Sequence, residues 1–145
     1  MEITDHIHSI PATPAFYTGP QAPNVFLIVD GGEGALIDSG FGDETSIKER
    51  VAFLRERPDV KVRRIVLTHH HFDHTSGAAQ LRDETGAQTV LHSDEEKFLK
   101  DWQAEVPQDI EVLKEQKELA EQVEKFRALL EQQLSVELTP VTVEP

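Results

Sequence analysis

The chain has 145 residues, enough for one domain with a buried core, and carries 27 Asp and Glu against 14 Lys and Arg, a formal net charge of -13. A field of that sign repels a phosphate backbone or an anionic bilayer, which argues against nucleic acid and membrane partners. Cysteine is absent, which excludes disulfides, thiolate catalysis and cysteine-based zinc sites and leaves any metal to imidazole and carboxylate ligands.

The opening MEITDHIHSI lacks the basic start and apolar run of a signal peptide. No stretch approaches the roughly 20 apolar residues of a membrane span, so a cytoplasmic location is the expectation. Residues 11–23, PATPAFYTGPQAP, hold four prolines and read as a loop carrying Phe16 and Tyr17. NVFLIV (24–29), DGGEG (30–34) and ALID (35–38) read as a β-hairpin, followed by a second glycine-rich turn, SGFGD. Residues 44–57 place Ile47, Val51 and Leu54 on one helical face, with Asp43 as N-cap and Pro58 as the stop. VKVRRIVLT (60–68) contains a strand whose run Ile65, Val66, Leu67 is of the kind covered on both faces. A short helix (76–85) closed by Gly86 and a strand (87–92) follow. Ser93 with Glu96 forms a capping-box pattern for a helix running to about Lys100. This is the order of a layered α/β domain.

Residues 101–109 are then largely polar, and 110–134 read as a helix of some 25 residues, free of Gly and Pro. Leu119, Val123, Phe126, Leu130 and Leu134 make one apolar stripe on it. The stripe packs on its own domain or serves as a homodimer contact; five positions without strict heptads do not establish a coiled coil. The tail SVELTPVTVEP alternates like one or two strands.

Chemistry concentrates in THHHFDHTSG, residues 68–77, where four of the seven histidines flank Asp73 at the end of the apolar strand. His6, His8 and His92 stand alone and read as hydrogen-bonded structural residues. Four clustered imidazoles would repel one another if protonated, whereas a divalent cation uses the lone pairs of neutral imidazoles and keeps the carboxylate charged. His69 and His71, two apart in a locally extended segment, leave on the same side and can converge on one ion, while His70 faces the other way. Asp73 and His74 can meet a second position nearby. Two ions roughly 3.5 to 4 Å apart can share a hydroxide and stabilise charge on a substrate oxygen, which makes hydrolysis the natural chemistry. The spacing differs from the H-E-x-x-H of helical zinc proteases, and GGEG lacks the Gly-Lys-Ser/Thr of a phosphate loop.

THHHFDHTSG resembles the H-x-H-x-D-H signature of the metallo-β-lactamase superfamily, and NVFLIVDGGEGALIDSGFG resembles that family's first hairpin and Asp-x-Gly turn; residues 1 to about 100 match in order. The resemblance implies an αββα sandwich, a zinc-dependent hydrolase of glyoxalase II-like flavour, and two Zn2+ ions, with iron or manganese suited to the same ligands. It implies His69 and His71 at the first metal, Asp73 and His74 at the second, Asp73 positioning the attacking water, and Asp38 as a buried support. Ser76 stands where many members carry glycine. The family's third histidine, bridging aspartate and last histidine lie downstream of the motif, yet no histidine follows His92. The expectation is therefore one metallo-β-lactamase-like domain over 1–145, stopping after the first half of the fold, with a helical insertion or lid near 101–134 and a continuation past Pro145. The substrate expected is a small ester, thioester or related acyl compound attacked by a metal-held hydroxide, with Phe16 and Tyr17 at its entrance or anchoring their loop. Two alternatives stand beside it: an iron-dependent sulfur dioxygenase, and a non-catalytic metal-binding or interaction module.

Overall fold

The computed structural model describes residues 1–10, 23–114, 124 and 139–141. β1 (Glu2–Thr4), β2 (Ile7–Ile10), β3 (Val25–Asp30) and β4 (Glu33–Ile37) form an antiparallel meander. The β3–β4 reversal pairs Asp30 with Glu33 across Gly31 and Gly32, whose φ of 55° and 83° are the left-handed values a two-residue hairpin requires.

From β4 the chain turns parallel. α1 (Glu44–Arg55) leads to β5 (Lys61–Leu67), and the single turn α2 (Phe72–Thr75) with α3 (Ala78–Thr85) leads to β6 (Gln88–His92). α4 (Ser93–Lys114) follows, and β7 (Thr139–Val141) pairs with β6. The seven strands lie in sequence order in one sheet, with β4, β5, β6 and β7 parallel. This mixed sheet flanked by helices is the αββα-like arrangement that the resemblance implies.

Strand alternation supplies one wall of the core through Val25, Leu27, Leu36, Ile65, Leu67 and Leu91, and the helices close it with Ala78, Leu81 and Leu99. The intervening residues Phe26, Ile28, Ile37 and Val66 face the other side and are only partly covered or exposed. Ile65 and Leu67 are thus buried as the apolar run suggests, but Val66 is half-buried; an apolar run alone does not tell which face has a partner layer.

α1 begins as its sequence dictates: Asp43 has extended backbone and its side chain accepts from the Ser46 N–H at 3.1 Å. Asp43→Ala should lower the unfolding free energy by about 1 kcal/mol, read as a lower urea midpoint at unchanged slope.

α4 begins at Ser93, as expected, and departs from expectation at its other end. Its first turn is also met by the ring of His92, whose Nδ1 accepts from the Asp94 N–H at 3.2 Å. The helix also runs through residues 101–109 and Pro107, where the polar composition suggests an interruption. Proline costs an interior helix about 3 kcal/mol, a local penalty that the rest of a 22-residue element can offset. Residues 110–114 belong to this same helix; the stripe from Leu119 to Leu134, with the homodimer contact read from it, lies outside the described residues. No helix among the described residues is long and apolar enough to cross a membrane.

Candidate functional site

Parallel pairing of β4 and β5 sets Ile37 opposite Val66, so the residues just beyond each strand, Asp38 and Thr68, emerge side by side at one edge of the sheet. The Asp38 N–H donates to the Val66 carbonyl at 2.8 Å. Asp38 is the one non-glycine with positive φ (62°) among the described residues, a conformation that costs roughly 1 to 2 kcal/mol. The cost is offset by what the carboxylate does. Only 5% exposed, it accepts from the Thr68 N–H at 2.7 Å, from the Thr68 hydroxyl at 2.9 Å and from His74 Nδ1 at 2.8 Å.

The first two histidines leave β5 in a short loop, and α2 then folds the chain back, with the N–H groups of His74 and Thr75 both donating to the His71 carbonyl at 3.0 and 3.1 Å. The ring of His69 consequently lies 4.6 Å from that of His71 and 4.2 Å from that of His74, centroid to centroid. The carboxylate of Asp73 sits 3.7 Å from His74 Nε2. All four residues named from the sequence therefore gather at the C-terminal end of β5.

Hydrogen bonds also orient the rings. A buried carboxylate can only accept, so His74 carries a proton on Nδ1 and turns Nε2 toward Asp73. The Thr68 hydroxyl has one proton; donating it to Asp38, it can accept from His69 Nδ1 at 2.9 Å, which likewise frees Nε2 of His69. The two rings differ in basicity. The Asp38 bond holds His74 above the usual imidazole value against the opposing effect of burial, whereas burial, and next the neighbouring His74 and His71, pull His69 below it.

A second loop braces this arrangement. The Ser39 and Gly40 N–H groups and the Ser39 hydroxyl converge on the His74 carbonyl at 2.8, 3.2 and 2.8 Å. The Gly77 N–H donates to the Gly40 carbonyl, and the Gly42 N–H to the Ser76 hydroxyl, each at 3.0 Å. Ser76, the residue that departs from the family's glycine, thus holds the brace rather than loosening it. Behind the loop the fully buried Arg50 of α1 donates from Nη1 to the Phe41 carbonyl at 2.6 Å; burial pulls its guanidinium down to about 10.

His70 turns its ring to α4, but not to the side opposite both neighbours that alternation suggests: its centroid is 6.4 Å from that of His69 and only 4.7 Å from that of His71. Its N–H and its Nδ1 lie 3.0 and 2.8 Å from Glu95 Oε2 on the first turn of α4, and Phe98 stacks on its ring at 5.4 Å. The His70 contact draws the Glu95 carboxyl below its usual range. Sequence reasoning missed Glu95, Thr68, Ser39 and Arg50. One signal was present for Glu95: an acid at the start of the helix after β6 must lie at the same sheet edge as the loop after β5.

The isolated histidines stay out of the cluster: His6 Nδ1 lies 3.1 Å from the Val29 carbonyl, His8 packs edge-on to Phe53, and His92 meets the first turn of α4. Phe16 and Tyr17 lie outside the described residues. A cleft of about 530 Å³ lined by Ile28, Glu33, Arg63 and Arg64 opens at the opposite end of β4 and β5, away from the histidines.

As a test of metal fit, the donor chemistry agrees with a divalent cation, since two imidazoles are fixed through Nδ1 with Nε2 available beside a carboxylate. Coordination does not follow from donor type alone: among the described residues no group of three or more His, Asp or Glu side chains is placed to hold a metal ion.

The family model of the Metallo-beta-lactamase superfamily matches residues 18–140. Hydroxyacylglutathione hydrolase of Pseudomonas aeruginosa is 34% identical over 79 residues, 54% of this chain and 29% of that protein. The enzyme of the same name from Pseudomonas savastanoi pv. phaseolicola is 31% identical over 86 residues, 58% of this chain and 29% of its own. The matched region thus spans less than a third of these curated relatives. Among solved structures, the B3 metallo-beta-lactamase BLEG-1 superposes with a TM-score of 0.50 at 26% identity, covering 64% of this chain and 40% of that one. BJP-1, a subclass B3 metallo-beta-lactamase of Bradyrhizobium japonicum, gives a TM-score of 0.53 at 24% identity over 68% and 34%, which speaks to the fold alone.

Proposed function

The chain belongs to the metallo-beta-lactamase superfamily, and from that premise we propose that it is a zinc-dependent hydrolase acting on a small thioester or ester, of the kind named by its hydroxyacylglutathione hydrolase relatives. The observation that carries this reading is the pair of hydrogen-bonded imidazoles. Asp38 and Thr68 fix His74 and His69 through Nδ1, so both can offer Nε2, and their rings lie 4.2 Å apart beside Asp73. Imidazole ligands held this way through the second nitrogen are typical of metal centres.

His69 and His71 would hold one ion, and Asp73 with His74 the second. Bound zinc supplies Lewis acidity toward the acyl carbonyl and lowers the pKa of water. Asp73 orients the attacking water and takes up its proton. His69, drawn toward its neutral form by burial, keeps its lone pair at neutral pH. The first turn of α4 reaches this edge of the sheet through Glu95, and a single domain is part of the proposal. A cytoplasmic location and a small-molecule substrate complete the proposal, and the net charge of -13 argues against nucleic acid.

Zinc titration tests it, followed by metal analysis and by Trp102 emission, since the only tryptophan touches Phe72 beside Asp73. Hydrolysis of a hydroxyacyl-glutathione thioester should accompany zinc uptake. Asp73→Ala should cut it by about 10² to 10⁴. Zinc uptake without turnover of thioester, ester or lactam would replace the hydrolase reading with that of a metal-binding module.

A further inference from the structure

We infer that Glu95 is a positioning residue for the histidine loop: by gripping the backbone and the ring of the middle residue, His70, it sets the path of residues 68–71 and with it the placement of the rings of His69 and His71 beside His74 and Asp73. Three contacts carry the inference. A single carboxylate oxygen, Oε2, lies 3.0 Å from the His70 backbone N–H and 2.8 Å from His70 Nδ1, so it constrains the peptide unit and the side-chain torsion together. Phe98, three residues along the same helix face, stacks on the imidazole with ring planes 29° apart. His70 is therefore held by backbone, ring edge and ring face from one rigid element.

The backbone hold does the rest. With the His70 peptide unit and side chain anchored, the torsions that carry its two neighbours are restricted, and the His71 ring is found 4.6 Å from that of His69 and 4.7 Å from that of His70. Without the grip, residues 68–71 would rest on Thr68 at one end and, at the other, on the carbonyls of His70 and His71, which accept from Thr75 and His74. A loop tethered only at its ends samples other torsions, and the two rings would separate. Glu95 also makes the start of α4 part of the site's framework, although 25 residues separate it from His70.

What Glu95 contributes to zinc affinity rests on the hydrolase reading above; what it does to the loop does not, so the test has two arms. In the zinc-free protein, the NOE between the ring protons of His69 and His71 should be present in the wild type and lost in Glu95→Ala. Glu95→Asp keeps the charge and suits a first helical turn, but falls short by one methylene; it should lose the NOE too, which a purely electrostatic role would not produce. In the second arm, zinc affinity by competition with a chelator should weaken by about 10- to 100-fold in both variants. Glu84→Ala, which removes an ion pair to Arg55 on the helices away from the loop, should leave NOE and affinity unchanged. A folded Glu95→Ala or Glu95→Asp protein that keeps the NOE, with affinity within twofold of wild type, overturns the inference even if its melting temperature falls. A wild type that shows the NOE but binds no zinc sinks the hydrolase reading instead and leaves the NOE arm decisive for Glu95.

Discussion

Gly42→Ala should unfold the brace behind the histidines, although it adds only one methyl group. A Cβ at Gly42 would lie 2.4 Å from the Ser76 carbonyl oxygen and 2.8 Å from its carbon, backbone atoms that cannot rotate away. Relief requires the 39–42 loop and the 76–77 turn to move apart. That motion breaks the bond from the Gly42 N–H to the Ser76 hydroxyl and the bond from the Gly77 N–H to the Gly40 carbonyl. Overpacking a core ordinarily costs 1 to 3 kcal/mol, and a clash with backbone belongs at about 3 kcal/mol or above. Gly86→Ala is the informative control. Gly86 has a φ of 69° but nothing within 4 Å of an added Cβ, so it should lose only the left-handed penalty of about 1 to 2 kcal/mol. Urea unfolding of both variants measures the difference; equal losses would mean that the loops part freely and brace nothing. Because the His74 carbonyl takes three bonds from Ser39 and Gly40, zinc affinity should fall with stability in Gly42→Ala and not in Gly86→Ala.

These effects show what could be read from the sequence. The hairpin was legible because its turn chemistry is local, with Gly31 and Gly32 at the positive φ that a two-residue reversal needs. α1 was legible because its cap, Asp43, and its stop, Pro58, adjoin it. The clustering of His69, His71, Asp73 and His74 followed from their offsets behind an apolar strand. What escaped depends on contacts between distant segments. Glu95 reaches His70 only because β5 and β6 are parallel neighbours, and Arg50 reaches Phe41 only because α1 packs beneath the glycine loop. The extent of α4 escaped for another reason: a single proline and a polar stretch signal a break locally, and the surrounding helix overrides that signal. The strain at Asp38 was not legible either, since aspartate in a strand-end turn adopts left-handed and ordinary backbone alike.

Asp38 carries the other large expected effect. Asp38→Ala deletes the acceptor for the Thr68 N–H, the Thr68 hydroxyl and His74 Nδ1 and leaves alanine at a φ of 62°. Hydrogen bonds to a charged group contribute roughly 1.5 to 3 kcal/mol each, without full additivity, so a loss of about 4 kcal/mol is expected. Asp38→Asn separates charge from geometry, because asparagine tolerates the left-handed region and still offers one acceptor oxygen. In the zinc-free protein the Asp38 bond raises His74 above its unfolded value of 6.5. A group raised in the folded state contributes stability that is fully present below the unfolded pKa and is lost as pH rises through the folded one. The stability gap between wild type and Asp38→Asn should therefore be widest below 6.5 and narrow as the pH climbs past the raised value of His74, settling on the part owed to Thr68. A gap that stayed constant from pH 6 to pH 9, or that grew, would show that the carboxylate does not hold His74 protonated. Zinc should reverse the emphasis. The ion competes with the proton for the imidazole, so the cost of Asp38→Asn in the loaded protein should appear as zinc affinity weakened by about 10- to 100-fold, the usual consequence of losing the partner that orients a histidine ligand.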